Sequence, residues 1–163
     1  MNFSLKETTA RVANYNARQE AHGDELVSAA DIKLEVDLAN CELAMFHPTL
    51  RSLLYERDEG RLELEDGELT RLRFPALGYP LDWSGKVVGA TVTFHNGVSE
   101  RSHVVLKDVT ISKFKFTPSE GGSVKVTFSV QFRPDERQAG KLSTMTGAIP
   151  VSIVPPEEQA PPA

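Results

Sequence analysis

The chain has 163 residues, enough for one domain with a real core. Hydrophobic residues make up 40% and charged residues 25%, ordinary globular proportions that argue against a fibrous or disordered chain. A formal charge of −5 argues against a broad basic face gripping duplex DNA, and leaves open a local basic groove with stacking aromatics for a single strand.

Cys41 is the only cysteine, so an internal disulfide and a zinc site with two or more thiolates are both excluded. A lone thiol fits a reducing compartment, and the expectation is a cytoplasmic protein. No apolar run reaches the roughly 18 residues a membrane helix needs. The first residues, Met1-Asn2-Phe3-Ser4-Leu5-Lys6-Glu7, lack a basic region followed by an apolar one, so no signal peptide is expected.

In chain order, Leu5 to Tyr15 is strand-like but alternates poorly. Ala17 to Ala30 reads as a polar hairpin arm or loop around His22-Gly23-Asp24-Glu25. It returns into Ile32-Lys33-Leu34-Glu35-Val36-Asp37-Leu38, where apolar and charged residues alternate strictly. Period two over that length is a half-buried strand. Leu43, Phe46, Leu50, Leu53 and Leu54 recur at helical spacing, interrupted by Pro48. Proline is tolerated at the first helical position, so the segment splits into a turn over 41–46 and a short helix over 48–55.

Asp66-Gly67 reads as a hairpin turn. Val88, Ala90, Val92 and Phe94 form one strand face. Asn96-Gly97 then signals a tight type I′ hairpin into a strand starting near Val98 or His103. Val109 and Ile111 share a parity that Phe114 and Phe116 break, which places a bulge near Ser112-Lys113. Pro118 through Gly122 turns the chain into Val124-Lys125-Val126-Thr127-Phe128-Ser129-Val130-Gln131-Phe132, the longest alternating run. These runs make an antiparallel meander over residues 86–133. A second short helix is expected over 135–145, weakened by Gly140. Ile149, Val151 and Ile153 read as a last strand, with Pro150 marking a sheet edge.

The fold is therefore read as mainly β. It is an antiparallel β-barrel or sandwich, with an OB-like barrel as one form, and it carries one or two short helices. The domain spans 1–154, and the acidic, proline-rich residues 155–163 form a disordered tail.

No nucleotide-binding, nucleophile-elbow or zinc-protease motif is present. Catalytic residues, metal and cofactor are accordingly none, and the chain is read as a non-enzyme. His22, Asp24 and Glu25 offer three ligands in one loop, but a solvated turn explains them as well. His47 is read as lying near a helix cap, His95 at a hairpin end and His103 on an exposed strand face. The carboxylates at 56–59 and 63–68 read as a solvated face, and Cys41 as a small buried residue at a strand–helix junction. The most informative pattern is basic residues interleaved with aromatics. Lys113 and Lys115 alternate with phenylalanines, Arg71 and Arg73 precede Phe74, and Arg11 and Arg18 flank Tyr15. With Trp83 as a stacking platform, these eight residues describe a nucleic-acid groove. The plain alternative is phenylalanines in the core and lysines in water.

Four stretches carry a resemblance. They are Arg18 through Glu25, Ala29 through Lys33, Pro48-Thr49-Leu50 running to Leu54-Tyr55, and Phe116 with Pro118 through Gly122. Over most of residues 8–155 the chain resembles a group of small phage and prophage early-region proteins of unassigned role. The resemblance implies an accessory of recombination or replication, or a counter-defence protein, and carries no active site. The expected function is a single-stranded nucleic-acid-binding accessory of phage type. The alternative is a protein–protein module, such as an inhibitor of a host enzyme or defence system. The partner is a single strand or a host or phage protein, no membrane is involved, and a homo-oligomer is compatible with either.

Overall fold

The computed structural model describes residues 1–58, 69–97 and 102–156. β1 (Leu5–His22) and β2 (Glu25–Ala39) form one long hairpin. A 3-10 turn (Asn40–Met45), α1 (Leu50–Leu54), a small ribbon of β3 (Tyr55–Arg57) and β4 (Leu69–Leu72), and β5 (Leu81–Trp83) follow. The chain then runs through β6 (Val87–Phe94), β7 (Val104–Pro118), β8 (Ser123–Phe132), α2 (Glu136–Ser143) and β9 (Gly147–Val154).

Six strands pair in a ring, in the order β1, β2, β8, β7, β6, β9 and back to β1, every pair antiparallel. Such a ring is a closed barrel, which removes the edges an open sheet exposes. The five-stranded OB arrangement is not the one adopted. No described helix is long and apolar enough to cross a membrane.

The alternation read from the sequence is the barrel wall. Ile32, Leu34 and Val36 on β2 and Val124, Val126, Phe128 and Val130 on β8 all point inward and are buried. Phe3 and Phe46 plug one end, stacking on Phe114, Phe116 and Phe128 with ring centroids 4.7–5.5 Å apart. At the other end α2 inserts the fully buried Leu142. Asp135 caps α2 in a reciprocal pair with Gln138, whose side chain also donates to the carbonyl of Val105.

Several elements differ from the sequence reading, each for a local reason. The strand and the arm before Ala30 are one 18-residue strand and its partner. Val88 points out and is 64% exposed, while Val87 is buried in its place. The register slips at Gly89, whose φ of 85° only glycine adopts freely, so the facing pattern shifts by one residue. Asn96 does not take a positive φ, so no type I′ turn forms there, and β7 starts at Val104. The two runs after Asn96 are a single strand, β7. α1 starts two residues after Pro48. Pro150 lies in β9, inside the ring and not at an edge. Its carbonyl accepts from the His95 amide at 2.9 Å, so its nitrogen faces the same way, beyond the last β6–β9 rung at Phe94 and Val151. The missing N–H therefore costs no ladder bond. Cys41 is exposed, because the 3-10 turn points Asn40 and Leu43 inward instead. The Asp66-Gly67 turn, the carboxylates from 59 to 68 and nearly all of the expected tail fall outside the described residues.

Tyr55 ties the β3–β4 ribbon to the β7–β8 turn. It is fully buried, and its hydroxyl lies 2.8 Å from the Ser119 carbonyl and accepts from the Ser119 amide at 3.1 Å. Burial pushes its phenol up to about 12.

Phe128→Asp is expected to unfold the domain, since it buries an unpaired charge in the barrel, whereas Ser129→Asp on the outer face should melt near the wild-type temperature. Thermal melts followed by circular dichroism compare the two. The Tyr55 phenol stays protonated in the fold beyond the pH at which the unfolded chain ionises. Its contribution is therefore whole below pH 10 and is lost between pH 10 and about 12, by about 1.4 kcal/mol per unit. Urea titrations across that range should show the decline in wild type and a flatter profile in Tyr55→Phe.

Candidate functional site

β7 carries two interruptions that shape its outer face. Asp108 and Lys113 both take left-handed backbone, with φ of 55° and 58°. After each, the inward residues change parity: Val104 and Leu106, then Val109 and Ile111, then Phe114 and Phe116. The second interruption is the bulge read from the sequence, and the β7–β8 register slips there between Ser112 and Lys115. Non-glycine residues meet a steric penalty in this conformation, of about 1–2 kcal/mol.

The bulge coincides with a gap on the other side of β7. β5 pairs with β7 as far as Trp83 opposite Phe114, and β6 begins with Val87 opposite Ile111. Residues 84–86 span the gap, and a groove of about 550 Å³ opens there. Lys86, Lys113 and Lys115 line it together with Trp83 and Gln131. A second groove, of about 400 Å³, continues from Gln131 along the same wall. It is lined by Thr110, Lys107 and Arg133, and bounded by Arg18 and Glu20 on the β1–β2 arm.

The two grooves share Gln131, so they form one trough along the outer β7–β8 wall. From Lys107 to Lys115 it runs eight residues of strand, roughly 25 Å. It holds six cationic side chains (Arg18, Lys86, Lys107, Lys113, Lys115, Arg133) and three carboxylates (Glu20, Asp82, Asp108). Lys115 pairs with Asp82 at 3.0 Å. Among the described residues, no carboxylate pairs with Lys86, Lys107 or Lys113.

Four of the eight residues named from the sequence meet in this trough: Lys113, Lys115, Trp83 and Arg18. Trp83 is not a free platform, because its ring packs on Phe46 and Phe116 and its indole N–H donates to the Met1 sulfur at 3.3 Å. Arg18 donates to both carboxylate oxygens of Asp31, at 3.0 and 3.2 Å, and also pairs with Glu20. The Asp31 bond, with Glu20, raises its pKa further, so its charge is fixed but shared.

The other four lie elsewhere. Arg11 pairs with Glu35 across the β1–β2 wall. Arg71 and Arg73 both hold Glu56 on the β3–β4 ribbon, at 3.0 and 3.6 Å, and Arg73 also reaches the Ser52 and Tyr55 carbonyls. Tyr15 opposes Ile32 and packs partly against the core, and burial raises its phenol pKa.

Lys107 and Arg133 were not singled out in the sequence, although strand parity points both outward. Lys86 carries no such signal, since only the β5–β6 gap brings it to the wall. His22 lies beside Arg133 and 3.9 Å from Glu20. His95 bonds Ser152 at 2.8 Å, and His47 accepts from the Thr49 amide near the start of α1. Among the described residues, no three His, Cys, Asp or Glu side chains converge as a metal site would require.

No family model, curated protein or solved structure matches the chain.

Lys113→Gly relieves the left-handed strain and removes one trough cation. The expected result is a melting temperature equal to or above wild type, since the relieved strain offsets the entropic cost of glycine. Differential scanning calorimetry checks this, and a drop of several degrees would contradict the bulge geometry.

Proposed function

We propose that this protein binds single-stranded nucleic acid along the outer β7–β8 wall, as a non-enzymatic accessory of nucleic-acid metabolism. One observation carries the reading. In a chain of net charge −5, six cations against three carboxylates gather in one trough, and among the described residues three of those cations pair with no carboxylate. A backbone of phosphates satisfies such a row, and local charge decides binding more than net charge does.

The length of the trough also fits a short single strand. A roughly 25 Å track takes a handful of nucleotides, the lower end of what a small β-barrel covers. Thr110 and Gln131 between the lysines supply neutral donors to phosphate oxygens. Trp83 contributes an edge beside the lysines and not an open ring face, so electrostatics carries more of this affinity than stacking does. The phage-type setting drawn from the resemblance is part of the same proposal and rests on the quoted stretches alone.

A fluorescence-anisotropy titration with labelled oligo-dT tests it. Three unpaired lysines predict a log–log salt slope of about −2, hence an affinity about fifteen-fold weaker at about 200 mM than at about 50 mM salt. Lys86→Glu with Lys113→Glu should abolish binding, and Ser129→Asp should weaken it while preserving the fold. Arg71→Ala, on the ribbon away from the trough, should bind as wild type. Salt-independent binding, or equal loss in Arg71→Ala, would refute the reading.

A further inference from the structure

The β1–β2 hairpin outruns the barrel. β9 pairs with β1 only as far as Val12, and β8 pairs with β2 only from Ala30 onward. Residues 16–22 of β1 therefore pair with β2 on one side, and among the described residues no strand lies on the other. The arm ends in a two-residue turn, Gly23 and Asp24, with Gly23 at φ 64°. Leu26 beside the turn is 69% exposed. A long open strand edge invites another strand.

The order of side chains along that edge says which strand fits. In a two-residue hairpin the residues flanking the turn, His22 and Glu25, exchange backbone bonds, and the alternation then sets the rest. Glu20 and Arg18 bond toward β2, while Ala21, Gln19 and Ala17 turn their N–H and C=O outward. Two copies of β1 laid antiparallel about a two-fold axis at Gln19 bring Gln19 against Gln19. Ala17 then faces Ala21 as the hydrogen-bonded rungs. Arg18 of each copy falls opposite Glu20 of the other, at the non-hydrogen-bonded rungs where side chains approach most closely. The sequence Ala17-Arg18-Gln19-Glu20-Ala21 is complementary to its own reverse in charge and in size.

We infer that this edge binds a second copy of the chain, giving an isologous dimer with a continuous four-stranded arm sheet. The symmetry closes the contact at two copies, because the same patch serves both sides. The small alanines let the second strand lie flat, and Leu26, next to Ala21 across the hairpin, gains cover from the joined sheet. The dimer's backbone bonds lie on the arm edge, and its charge pairs draw on Arg18 and Glu20 at the trough's far end, away from Lys86 and Lys113.

Sedimentation velocity on the full chain should give twice 17.9 kDa at micromolar concentration. Arg18→Glu and Glu20→Arg each set like charges against one another, and each alone should weaken self-association at least tenfold. Mixed in equal amounts they restore both opposite-charge pairs, so the mixture should return to the dimer mass as a heterodimer. That rescue cannot come from a misfolded variant. A wild type that stays at 17.9 kDa up to about 100 μM, or variants that stay dimeric alone, would overturn the inference, as would a mixture that stays monomeric.

Discussion

Among the described strands of this barrel, β7 alone pairs with three neighbours, its two partners in the ring and β5 beside them. It pairs with β6 over its first half, with β8 over its second, and with β5 beside the point where β6 begins. A straight ribbon cannot do this while keeping one face in the core. The bulges at Asp108 and Lys113 bend it and reset its parity, so that Val104, Val109 and Phe114 all point inward although no single period relates them. The end plug depends on the same bend. Phe114 and Phe116 meet Phe3 and Phe46 only because the second bulge has turned them in.

Each bulge also ejects a residue to the outside, which links closure of the barrel to its surface chemistry. Lys113 is held in left-handed backbone beside the gap between β5 and β6, where Lys86 and Lys115 also arrive. A glycine would adopt that backbone with less strain. A lysine there carries its charge into the trough.

Legibility in the sequence followed the physics of alternation. Strands β2 and β8 were plain because their inward residues never break step. The Lys113 bulge was visible because the break between Ile111 and Phe114 falls inside an unmistakable apolar pattern. The slip at Gly89 was not, because Val88 and Val87 are equally apolar and either can face the core. Pro150 misled because its effect depends on which side its nitrogen faces, a property of the register and not of the residue. For the trough, Lys113 and Lys115 were found from their phenylalanine neighbours. Arg71 and Arg73 show the same local pattern but are claimed by Glu56 across a ribbon whose pairing the pattern does not encode.

The acidic net charge of the chain and its basic trough fall largely on different walls of the barrel. Asp31, Glu35 and Asp37 occupy the outer face of β2, where Asp31 and Glu35 are engaged by Arg18 and Arg11 and Asp37 stands opposite Lys125. Asp24 and Glu25 sit at the arm's tip. The β7–β8 wall keeps the cations. For the proposed single-strand ligand, two adjoining walls of opposite sign would steer approach toward the trough and away from the acidic side. Separation of this kind needs β8 to be a boundary: Thr127, Ser129 and Gln131 line its outer face with neutral side chains, opposite Glu35, Lys33 and Asp31 on one side and β7 on the other. The neutral outer residues of β8 from Thr127 to Gln131 keep Glu35 about two strand spacings, roughly 10 Å, from the trough lysines, whereas Asp31 meets the trough through Arg18. That distance is near the screening length at physiological salt, so Glu35 acts only weakly on the trough lysines while still counting in the net charge of the chain.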